Sequence, residues 1–285
     1  MSTQSVEGMT VELQTFEPEH REGAQRLSRH EQWPHRPEDW TMALSLSHGL
    51  VAVDDRSRVV GTVLMTPYSD EAATINMVIV DPAWRGKGLG RRLMDGAMAL
   101  AGERPLRLVA TRDGLPLYER LGFRETGRVL QHQGVCRPLP APLPTDVTPA
   151  AAEDRTAIAG LDRLAVGADR GELIDRFAEV GRFLVLRTDG AVTGFAALRD
   201  FGRGRVIGPV VAPDLDAAKR LMAPFMTECA GTFLRVDTTA ATGLAPWLAE
   251  CGLDHVGGGV AMQRPVVTPL ATPVSTFALA SQAFG

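Results

Sequence analysis

The sequence predicts an α/β (α+β) protein built from two similar domains, each a mixed, largely antiparallel sheet flanked by helices. Three observations predict it: strand-like and helical segments alternate along the 285 residues, a proline-rich stretch divides them, and the same order of segments returns after it. A chain of this length exceeds the usual size of a single core, so two domains are expected. We expect 1–135 to form the first domain, 136–149 the linker and 150–285 the second domain.

The first half predicts the element order β-α-α-β-β-β-α-β-α-β. VELQTF predicts a strand, and the helical sequence from about 18 to 46 is interrupted at Trp33-Pro34, because the residue before a proline disfavours helix. LVAVD, VVGTVLMTP and ATINMVIV predict three strands joined by turn-like DRSR and YSDE. Apolar residues at helical spacing predict a helix over 88–102. LRLVA, LPLYERLG and FRETGRVLQHQ then predict a strand, a short helix and a last strand.

The dividing stretch is GVCRPLPAPLPTDVTP, residues 134–149, whose five prolines predict an extended connector. Behind it, residues 152–180 predict helix, and FLVLR, AVTGFAALRD, RVIGPVV, FLRVD, HVGGGVAMQ and the final STFALASQAFG predict strands. DAAKRLMAPFMTECA and LAPWLAEC predict helices between them. VDP…RRLM in the first half matches VAP…KRLM in the second, and YERLGF matches LAECGL. These matches indicate a duplicated domain rather than a solenoid, whose repeats are shorter.

Composition and charge argue against several classes of protein. The net charge of -4 argues against a general nucleic-acid binder. The start of the chain carries no signal-peptide pattern and no run is long enough to span a bilayer, so a cytoplasmic protein without membrane partners is expected. Cys136, Cys229 and Cys251 form no C-x-x-C pair, which predicts free buried thiols in a reducing compartment. The six histidines show no metal-binding spacing, so no metal site is predicted.

The stretch DPAWRGKGLGRRLM, residues 81–94, leads from a strand to a helix through three glycines. A Walker A loop requires G-K-[ST], but Gly90 is followed by Arg91. A dinucleotide fingerprint requires G-x-G-x-x-G within a βαβ unit, whereas this turn has G-x-G-x-G after a meander. The pattern R-x-x-G-x-G is satisfied by Arg85, Gly88 and Gly90.

Such a turn is suited to bind a diphosphate. The first backbone N–H groups of a helix have no partner within it and lie at the positive end of its dipole. Glycines let a phosphate approach these amides closely. Lys87 and the arginines add positive charge, although Arg91 and Arg92 could equally form a solvated helix face. The alternative is a glycine turn that binds no ligand.

With this turn and the later stretch LVATRDGLPLYERLGF, the chain resembles the GNAT superfamily of acyl-CoA-dependent N-acetyltransferases. The resemblance implies acetyl-CoA as co-substrate and no metal. It implies a pyrophosphate and pantetheine site formed by Val78, Ile79, Val80, Arg85, Gly86, Lys87, Gly88, Leu89, Gly90 and Arg91. Thr111 occupies the position at which many members carry an asparagine, and it is expected to contact the pantetheine or adenosine end.

The resemblance also implies that Tyr118 protonates the departing CoA thiolate. A phenol with a pKa of about 10 is a reasonable donor to a thiolate whose conjugate acid titrates near 8 to 9. The alternative is an amphipathic helix residue that packs on the sheet, and one ring can do both.

The general base is less evident, because ATINMVIV lacks the glutamate that many members carry there. Deprotonation through ordered water and a base from WPHRPEDW, with His35, Glu38 and Asp39, both remain open. Trp33, His35 and Trp40 are candidates for an acceptor pocket. The same stretch could instead be a helix N-terminus with its cap and staple.

The second half lacks both motifs. DLDAA replaces the glycine turn and brings Asp214 and Asp216, and Leu248 stands opposite Tyr118 with Trp247 beside it. This pairing of an intact and a degenerate domain resembles a bacterial tandem-GNAT group.

The resemblance therefore implies an N-acetyltransferase acting on a small primary amine by direct attack, with strand amides near Met77 and Val78 stabilising the oxyanion. The alternatives are an acyl-CoA-binding sensor or scaffold and a protein-lysine acetyltransferase. Because ligand sites favour domain interfaces, we expect acceptor contacts from helix 170–180, with Asp169, Arg170, Glu172 and Asp175, and from the strand around Gly208-Pro209.

Overall fold

The computed structural model describes residues 4–6, 9–139, 142–268 and 270–285. These residues form fourteen strands and eight α-helices. The elements of the first half are β1 (Gln4–Val6), β2 (Met9–Thr15), α1 (Arg21–His30), α2 (Pro37–Ser45), β3 (His48–Asp54), β4 (Val59–Tyr68), β5 (Ala72–Val80), α3 (Leu89–Ala101), β6 (Leu106–Ala110), α4 (Leu115–Arg120) and β7 (Arg124–Val135). Those of the second half are β8 (Val147–Pro149), α5 (Arg155–Val166), α6 (Gly171–Val180), β9 (Gly181–Thr188), β10 (Ala191–Phe201), β11 (Gly204–Ala212), α7 (Leu215–Glu228), β12 (Phe233–Thr239), α8 (Ala245–Glu250), β13 (Asp254–Arg264) and β14 (Ser275–Ala278).

The predicted order of elements is present in both halves, with two additional short strands, β1 and β8, and further local differences. The helical stretch 152–180 divides into α5 and α6, because Gly167 adopts a left-handed φ of 69° that ends α5. Of the final stretch, only β14 forms a strand. Strand β7 extends to Val135 and the amide of Cys136 donates to the Thr232 carbonyl at 3.0 Å, so residues 134–136 belong to the sheet and its edge rather than to a free connector.

The strands form one continuous mixed sheet rather than two separate ones. Its order is β1-β2-β3-β4-β5-β6-β13-β7-β12-β11-β10-β9-β8, with β14 beside β11. The described neighbours are antiparallel except for two parallel pairs, β5 with β6 and β11 with β12. The predicted α/β class and its largely antiparallel character are confirmed, and the two domains share a single sheet.

The two halves exchange strands β7 and β13 within this sheet. Strand β13, from the second half, pairs with β6 of the first half, where Met262 lies opposite Leu108. Strand β7, from the first half, pairs with β12 of the second half, where His132 lies opposite Val236. Each half therefore completes its part of the sheet with a strand of the other half. The limits 1–135, 136–149 and 150–285 are kept as proposed domain boundaries.

The core also crosses between the halves. One cluster of buried apolar side chains joins Phe16 and Trp40 with Phe177 and Phe195 of the second half. At its edge, the Gly202 amide donates to Asp39 Oδ2 at 3.0 Å, in the turn between β10 and β11. A hydrogen bond and a shared core thus fix the start of α2 against the second half.

The three cysteines are free and buried, as predicted, and they belong to one apolar cluster. Burial raises the pKa of the Cys136 and Cys251 thiols to about 11. These side chains therefore stay protonated and act as small apolar core residues.

Candidate functional site

The glycine turn joins β5 to α3 in the predicted manner. Asp81 Oδ1 accepts a hydrogen bond from the Ala83 amide at 3.0 Å and starts a short 3-10 turn. Gly86 and Gly88 adopt left-handed φ angles of 73° and 81°, which a residue with a Cβ reaches only under strain. The first helical amide bond of α3 runs from Arg92 N to Gly88 O at 3.1 Å, so the amides of the preceding turn have no intrahelical acceptor.

A cavity of about 690 Å³ lies against this turn, and we call it the cradle cavity. A Cβ added to Gly86 or Gly88 would meet no protein atom within 4 Å, so the space beside both residues is open. The cavity is lined by Glu31, Trp33, Val78, Ile79, Val80, Trp84, Arg85, Gly86, Gly88, Leu89, Gly90, Arg91, Thr111, Arg112, Asp113, Gly114, Leu117, Tyr118 and Arg120. All predicted cofactor residues except Lys87 are in this set.

The basic side chains of the turn already have partners. Arg85 pairs with Glu31 and donates through Nε to the Val80 carbonyl at 3.1 Å. Lys87 lies over the Trp84 ring, with Nζ 5.3 Å from its centroid. Arg91 forms an exposed ion pair with Asp95 one helical turn on, as expected for a solvated helix face.

Strand β5 separates from β6 beside the cavity. The two strands pair only where Ala73 and Thr74 lie opposite Leu106 and Arg107. Further along, Val78, Ile79 and Val80 line the cradle cavity, as the sequence predicts for the residues along the pantetheine.

An irregularity in β5 marks the same region. Met77 adopts a left-handed φ of 50°, a conformation that costs a non-glycine residue about 1–3 kcal/mol and is common at functional sites. The register between β4 and β5 shifts between Thr62 and Leu64. The buried Thr62 hydroxyl donates to the Met77 carbonyl at 2.7 Å and holds the irregularity in place.

Tyr118 lies on α4 with its side chain buried. Burial raises the pKa of its phenol to about 12, because the charged phenolate loses its hydration there. The ring packs edge-on against Phe123 at 6.2 Å between centroids, so the packing interpretation holds as well. Thr111 Oγ1 accepts from the Gly114 amide at 3.3 Å near the start of α4.

A second cavity of about 250 Å³ lies between the two halves, and we call it the interdomain pocket. It is lined by Gln32, Trp33, Pro34, His35, Ile75, Asn76, Met77, Val78, Val109, Thr111, Tyr118, Gln131, Arg235, Gly258, Gln282 and Ala283. Trp33, Val78, Thr111 and Tyr118 also line the cradle cavity. The two cavities therefore adjoin at these four residues.

Two residues that line this pocket each have a buried side-chain atom without a hydrogen-bond partner. Asn76 donates through Nδ2 to Thr66 Oγ1 at 2.9 Å, while its Oδ1 accepts no hydrogen bond. Nδ1 of His35 is likewise unpartnered. Burial, together with the charges of Arg235 and Arg199, lowers the pKa of His35 to about 4 against the opposing effect of Asp39, so the ring is neutral near pH 7.

The second half contributes an ordered polar group to the pocket. Arg235 donates from Nε and Nη2 to the two oxygens of Asp237, at 3.0 and 3.1 Å. Asp237 also accepts from Gln282 Nε2 at 2.9 Å. These contacts come from β12 and from the segment after β14, so the second half forms one wall of the pocket.

The other residues expected near the acceptor lie elsewhere. Trp40 is fully buried behind His35 and donates to Ser28 Oγ at 3.2 Å. Asp39 pairs with Arg36 and accepts from its amide at 2.9 Å, so it caps α2, and Glu38 is exposed on the same turn. The helix-start interpretation therefore describes these three residues, while Trp33 and His35 line the pocket.

The residues of helix 170–180 that were expected to contact the acceptor do not line the interdomain pocket. Arg170 is ion-paired with Asp162 and fully buried. Asp175 pairs with Arg155 on the surface. Asp169, Arg170 and Glu172 instead line a separate cavity with Tyr68 and neighbouring residues of the first half. Asp175 and Gly208-Pro209 are not part of the lining of the interdomain pocket.

In the second half, the position of the cradle holds protein instead of open space. Asp214 caps α7 by accepting from the Ala217 amide at 2.8 Å, and Leu248, opposite Tyr118, is a buried core residue. Strands β11 and β12 pair only at Arg205 and Val206 and then separate, as β5 and β6 do. Strand β14 fills this gap, pairing with β11 at Val210–Ala212, and Leu279 N donates to Asp237 O of β12 at 2.8 Å.

Comparisons with known proteins identify both halves. A family model described as an acetyltransferase (GNAT) domain matches residues 45–125, and another with the same description matches 158–271. The chain is 29% identical over 186 residues to the uncharacterized N-acetyltransferase YitH of Bacillus subtilis (strain 168), a match that covers 63% of this chain and 65% of YitH. The match thus spans just under two-thirds of that relative.

Solved structures share the fold over the whole length. A putative acetyltransferase from Pyrococcus horikoshii superposes with a TM-score of 0.81 at 17% identity, covering 99% of this chain and 98% of the other. A tandem GNAT protein from the clavulanic acid biosynthesis pathway gives 0.63 at 15% identity, over 89% and 98%. Among the described residues, no helix is long and apolar enough to cross a membrane, and no group of three His, Cys, Asp or Glu is arranged to hold a metal ion. The two family matches together cover more than half of the chain, which therefore belongs to the GNAT family of acetyltransferase enzymes and carries two GNAT domains in tandem.

Proposed function

We propose that the protein transfers the acetyl group of acetyl-CoA to the primary amine of a small molecule by direct attack of the amine. The observation that carries this proposal is the junction of the two cavities. Trp33, Val78, Thr111 and Tyr118 line both of them. A group bound in the cradle cavity and an amine bound in the interdomain pocket can therefore meet beside Tyr118.

The cradle has the properties that a CoA pyrophosphate needs. Open space lies beside Gly86 and Gly88, and the amides at the start of α3 have no intrahelical acceptor. Arg85 already pairs with Glu31 and the Val80 carbonyl through Nη2 and Nε, which leaves Nη1 for a phosphate. Bound acetyl-CoA would supply an activated thioester, with its pantetheine along the backbone of Val78–Val80.

Tyr118 is suited to act as the general acid. With a pKa of about 12, the phenol keeps its proton at neutral pH and can donate it to a departing thiolate. The backbone amides near Met77 and Val78 are the proposed donors to the oxygen that becomes negative during transfer. The left-handed Met77, held by Thr62, fixes the direction of the strand backbone at this point.

The described part of the interdomain pocket is lined by no Asp or Glu, so the amine is not deprotonated by a carboxylate there. His35, with a pKa of about 4, is too weak a base to remove a proton from an ammonium group. We therefore propose that the ammonium group loses one proton to water before attack. Asn76 Oδ1 and His35 then accept hydrogen bonds from the neutral amine and orient it. The second N–H proton leaves to water after attack, and water returns a proton to Tyr118 once the phenol has protonated the thiolate.

The size of the pocket supports a small acceptor. Its volume of about 250 Å³ is below the roughly 300–1,000 Å³ typical of sites for drug-sized ligands. Gln131, Arg235, Gln282 and Ala283 form its wall on the side of the shared sheet and the second domain. A wall at this position favours a small molecule over a lysine on the surface of another protein.

A thiol-release assay with acetyl-CoA and a panel of primary amines tests the proposal. We expect CoA release that depends on the amine, together with the N-acetylated product by mass spectrometry. Tight acetyl-CoA binding without release by any amine would instead support the sensor or scaffold alternative. Acetylation of lysine-containing proteins with no small-molecule turnover would support the protein-lysine alternative.

A further inference from the structure

The interdomain pocket has an unusual charge for a site that accepts an amine. Among the described residues, its only lining side chain with a formal charge at pH 7 is the guanidinium of Arg235. A second ammonium group on the acceptor would face this cation without a carboxylate in the lining to balance it. The pocket therefore disfavours polyamines and other polycations.

The Arg235 guanidinium is fixed in position with one donor group left over. Asp237 holds its Nε and Nη2, and Gln282 holds Asp237 in turn. The guanidinium also lies over the Phe201 ring, 5.2 Å from its centroid. Nη1 has no hydrogen-bond partner in the described residues, so it is a preorganised donor in the pocket wall.

A second cation behind the wall strengthens the positive potential. Arg199 is buried, and its Nη2 donates to the Ala280 carbonyl at 3.1 Å. No described carboxylate lies within ion-pair distance of it, and its guanidinium lies 4.5 Å from the centroid of the Phe177 ring and 4.9 Å from that of the Phe201 ring. Asp237 pairs with Arg235, and Asp39, which pairs with Arg36, also faces the charge of Arg199, so three guanidiniums on this side of the pocket stand against these two carboxylates.

Strand β5 contributes an amide acceptor to the lining of the pocket. Asn76 Oδ1 lies on β5, one residue before Met77, and its amide is oriented by Nδ2 contacts to Thr66 Oγ1 and to the Thr74 carbonyl. Val78, two residues further along the same strand, is one of the residues shared with the cradle cavity. A molecule with an amine at one end and an anion at the other matches this polarity.

We infer that the acceptor is an amine that also carries a carboxylate, with the carboxylate bound by Arg235 and the amine oriented by Asn76. The inference rests on the proposed function and specifies its substrate class. An amino acid is the simplest molecule of this kind and has the size that the pocket admits.

The test compares amino acids with their own carboxamides as acetyl acceptors. β-Alanine, γ-aminobutyrate and several α-amino acids are each paired with the corresponding amide. Putrescine and spermidine serve as references with further ammonium groups, and glucosamine as a reference with no charged group besides its amine. Rates are compared at equal concentrations of neutral amine, so that differences in amine pKa do not contribute. We expect kcat/KM to be about ten- to a hundred-fold higher for the carboxylate member of a pair, as for one charged hydrogen-bonded contact.

A variant locates the origin of this preference. Arg235→Gln combined with Asp237→Asn removes both charges together and leaves no unpaired buried carboxylate. The preference for the carboxylate member should fall to within about threefold, while Arg205→Gln, a surface cation of β11 paired with Glu228, should keep it. Acetyl-CoA affinity, measured by calorimetry, reports that the variants are folded.

The outcomes separate the inference from the function beneath it. Faster turnover of carboxamides or polyamines, or an unaltered preference in the double variant, overturns the inference and leaves the acetyltransferase function in place. Binding of acetyl-CoA without thiol release by any amine overturns the proposed function and this inference with it.

Discussion

Gly114 leaves the space in which the ring of Tyr118 lies. A Cβ added to Gly114 would be 2.7 Å from Cε2 of Tyr118 and 3.3 Å from its hydroxyl oxygen, closer than real side chains approach. Gly114 has a φ of -78°, which any residue adopts, so the close approach and not the backbone requires glycine here. The position of the Tyr118 ring therefore depends on the lack of a side chain at Gly114, one helical turn earlier.

The first prediction concerns this contact. Gly114→Ala should move the Tyr118 ring and lower kcat by at least tenfold, with acetyl-CoA affinity changed much less. Gly160→Ala is the matched control, because a Cβ there meets no atom within 4 Å and the residue lies within helix α5. Steady-state kinetics and calorimetry on both variants check it, and equal kcat values would show that the ring has room to adjust.

Replacement of the phenol itself should separate chemistry from binding. Tyr118→Phe is expected to lower kcat by about a hundred- to ten-thousand-fold, as for loss of a general acid, with little change in the dissociation constant of acetyl-CoA. Because the pKa of about 12 keeps the phenol protonated, the wild-type rate should show no loss from Tyr118 ionisation below about pH 11. An unchanged kcat would assign protonation of the thiolate to water or another group.

The effect of a side chain on cofactor binding in the cradle can be separated from the effect of backbone strain. Gly88→Ala places a methyl group where the cavity is open and imposes a left-handed φ of 81° on alanine, at a cost of about 1–2 kcal/mol. Gly167→Ala imposes similar strain at φ 69°, also in open space but outside the cradle cavity. Both variants should lose similar free energy of unfolding, but only Gly88→Ala should weaken acetyl-CoA binding, at least tenfold. Equal affinities would locate the cofactor elsewhere.

Calorimetry should give one CoA per chain. The second domain lacks the glycine turn, Asp214 caps its α7, and β14 occupies the gap between β11 and β12. A cofactor at that position would have to displace four residues of strand from the sheet. Binding of two equivalent CoA molecules would contradict this prediction.

His35 should contribute to the pH dependence of stability. Its pKa of about 4 is below the ordinary value of 6.5, so between these values the unfolded chain binds a proton that the folded chain does not. The contribution of neutral His35 to the free energy of unfolding is complete above about pH 6.5 and is lost as the pH falls toward 4. The loss is at most about 2 kcal/mol between pH 7 and 5. In urea unfolding, His35→Gln should lose this part of the pH dependence, whereas His30→Gln, at an exposed position, should keep it. Identical pH slopes for wild type and His35→Gln would contradict the assignment.

The sequence alone determined the features whose residues are neighbours along the chain. The glycine turn is predictable because Arg85, Gly88 and Gly90 follow one strand and start one helix, and hydrogen bonding within the turn dictates its shape. The stretch around Tyr118 is predictable for the same reason, since its residues run consecutively from the end of β6 through α4. The duplication and the loss of the second cradle are also visible as local matches and substitutions.

Tertiary structure decided what depends on pairing between distant segments. Nothing in the local sequence of strands β7 and β13 tells which half of the sheet each one completes. Their exchange follows from how the whole sheet is assembled. The interdomain pocket combines Asn76 of β5 with Arg235 of β12 and Gln282 beyond β14, residues that are individually ordinary. An arginine, a glutamine and an asparagine with an unpaired amide oxygen meet at one cavity only because the sheet runs through both domains. Strand β14 also contributes, because it fills the gap between β11 and β12 in the domain without a cofactor site.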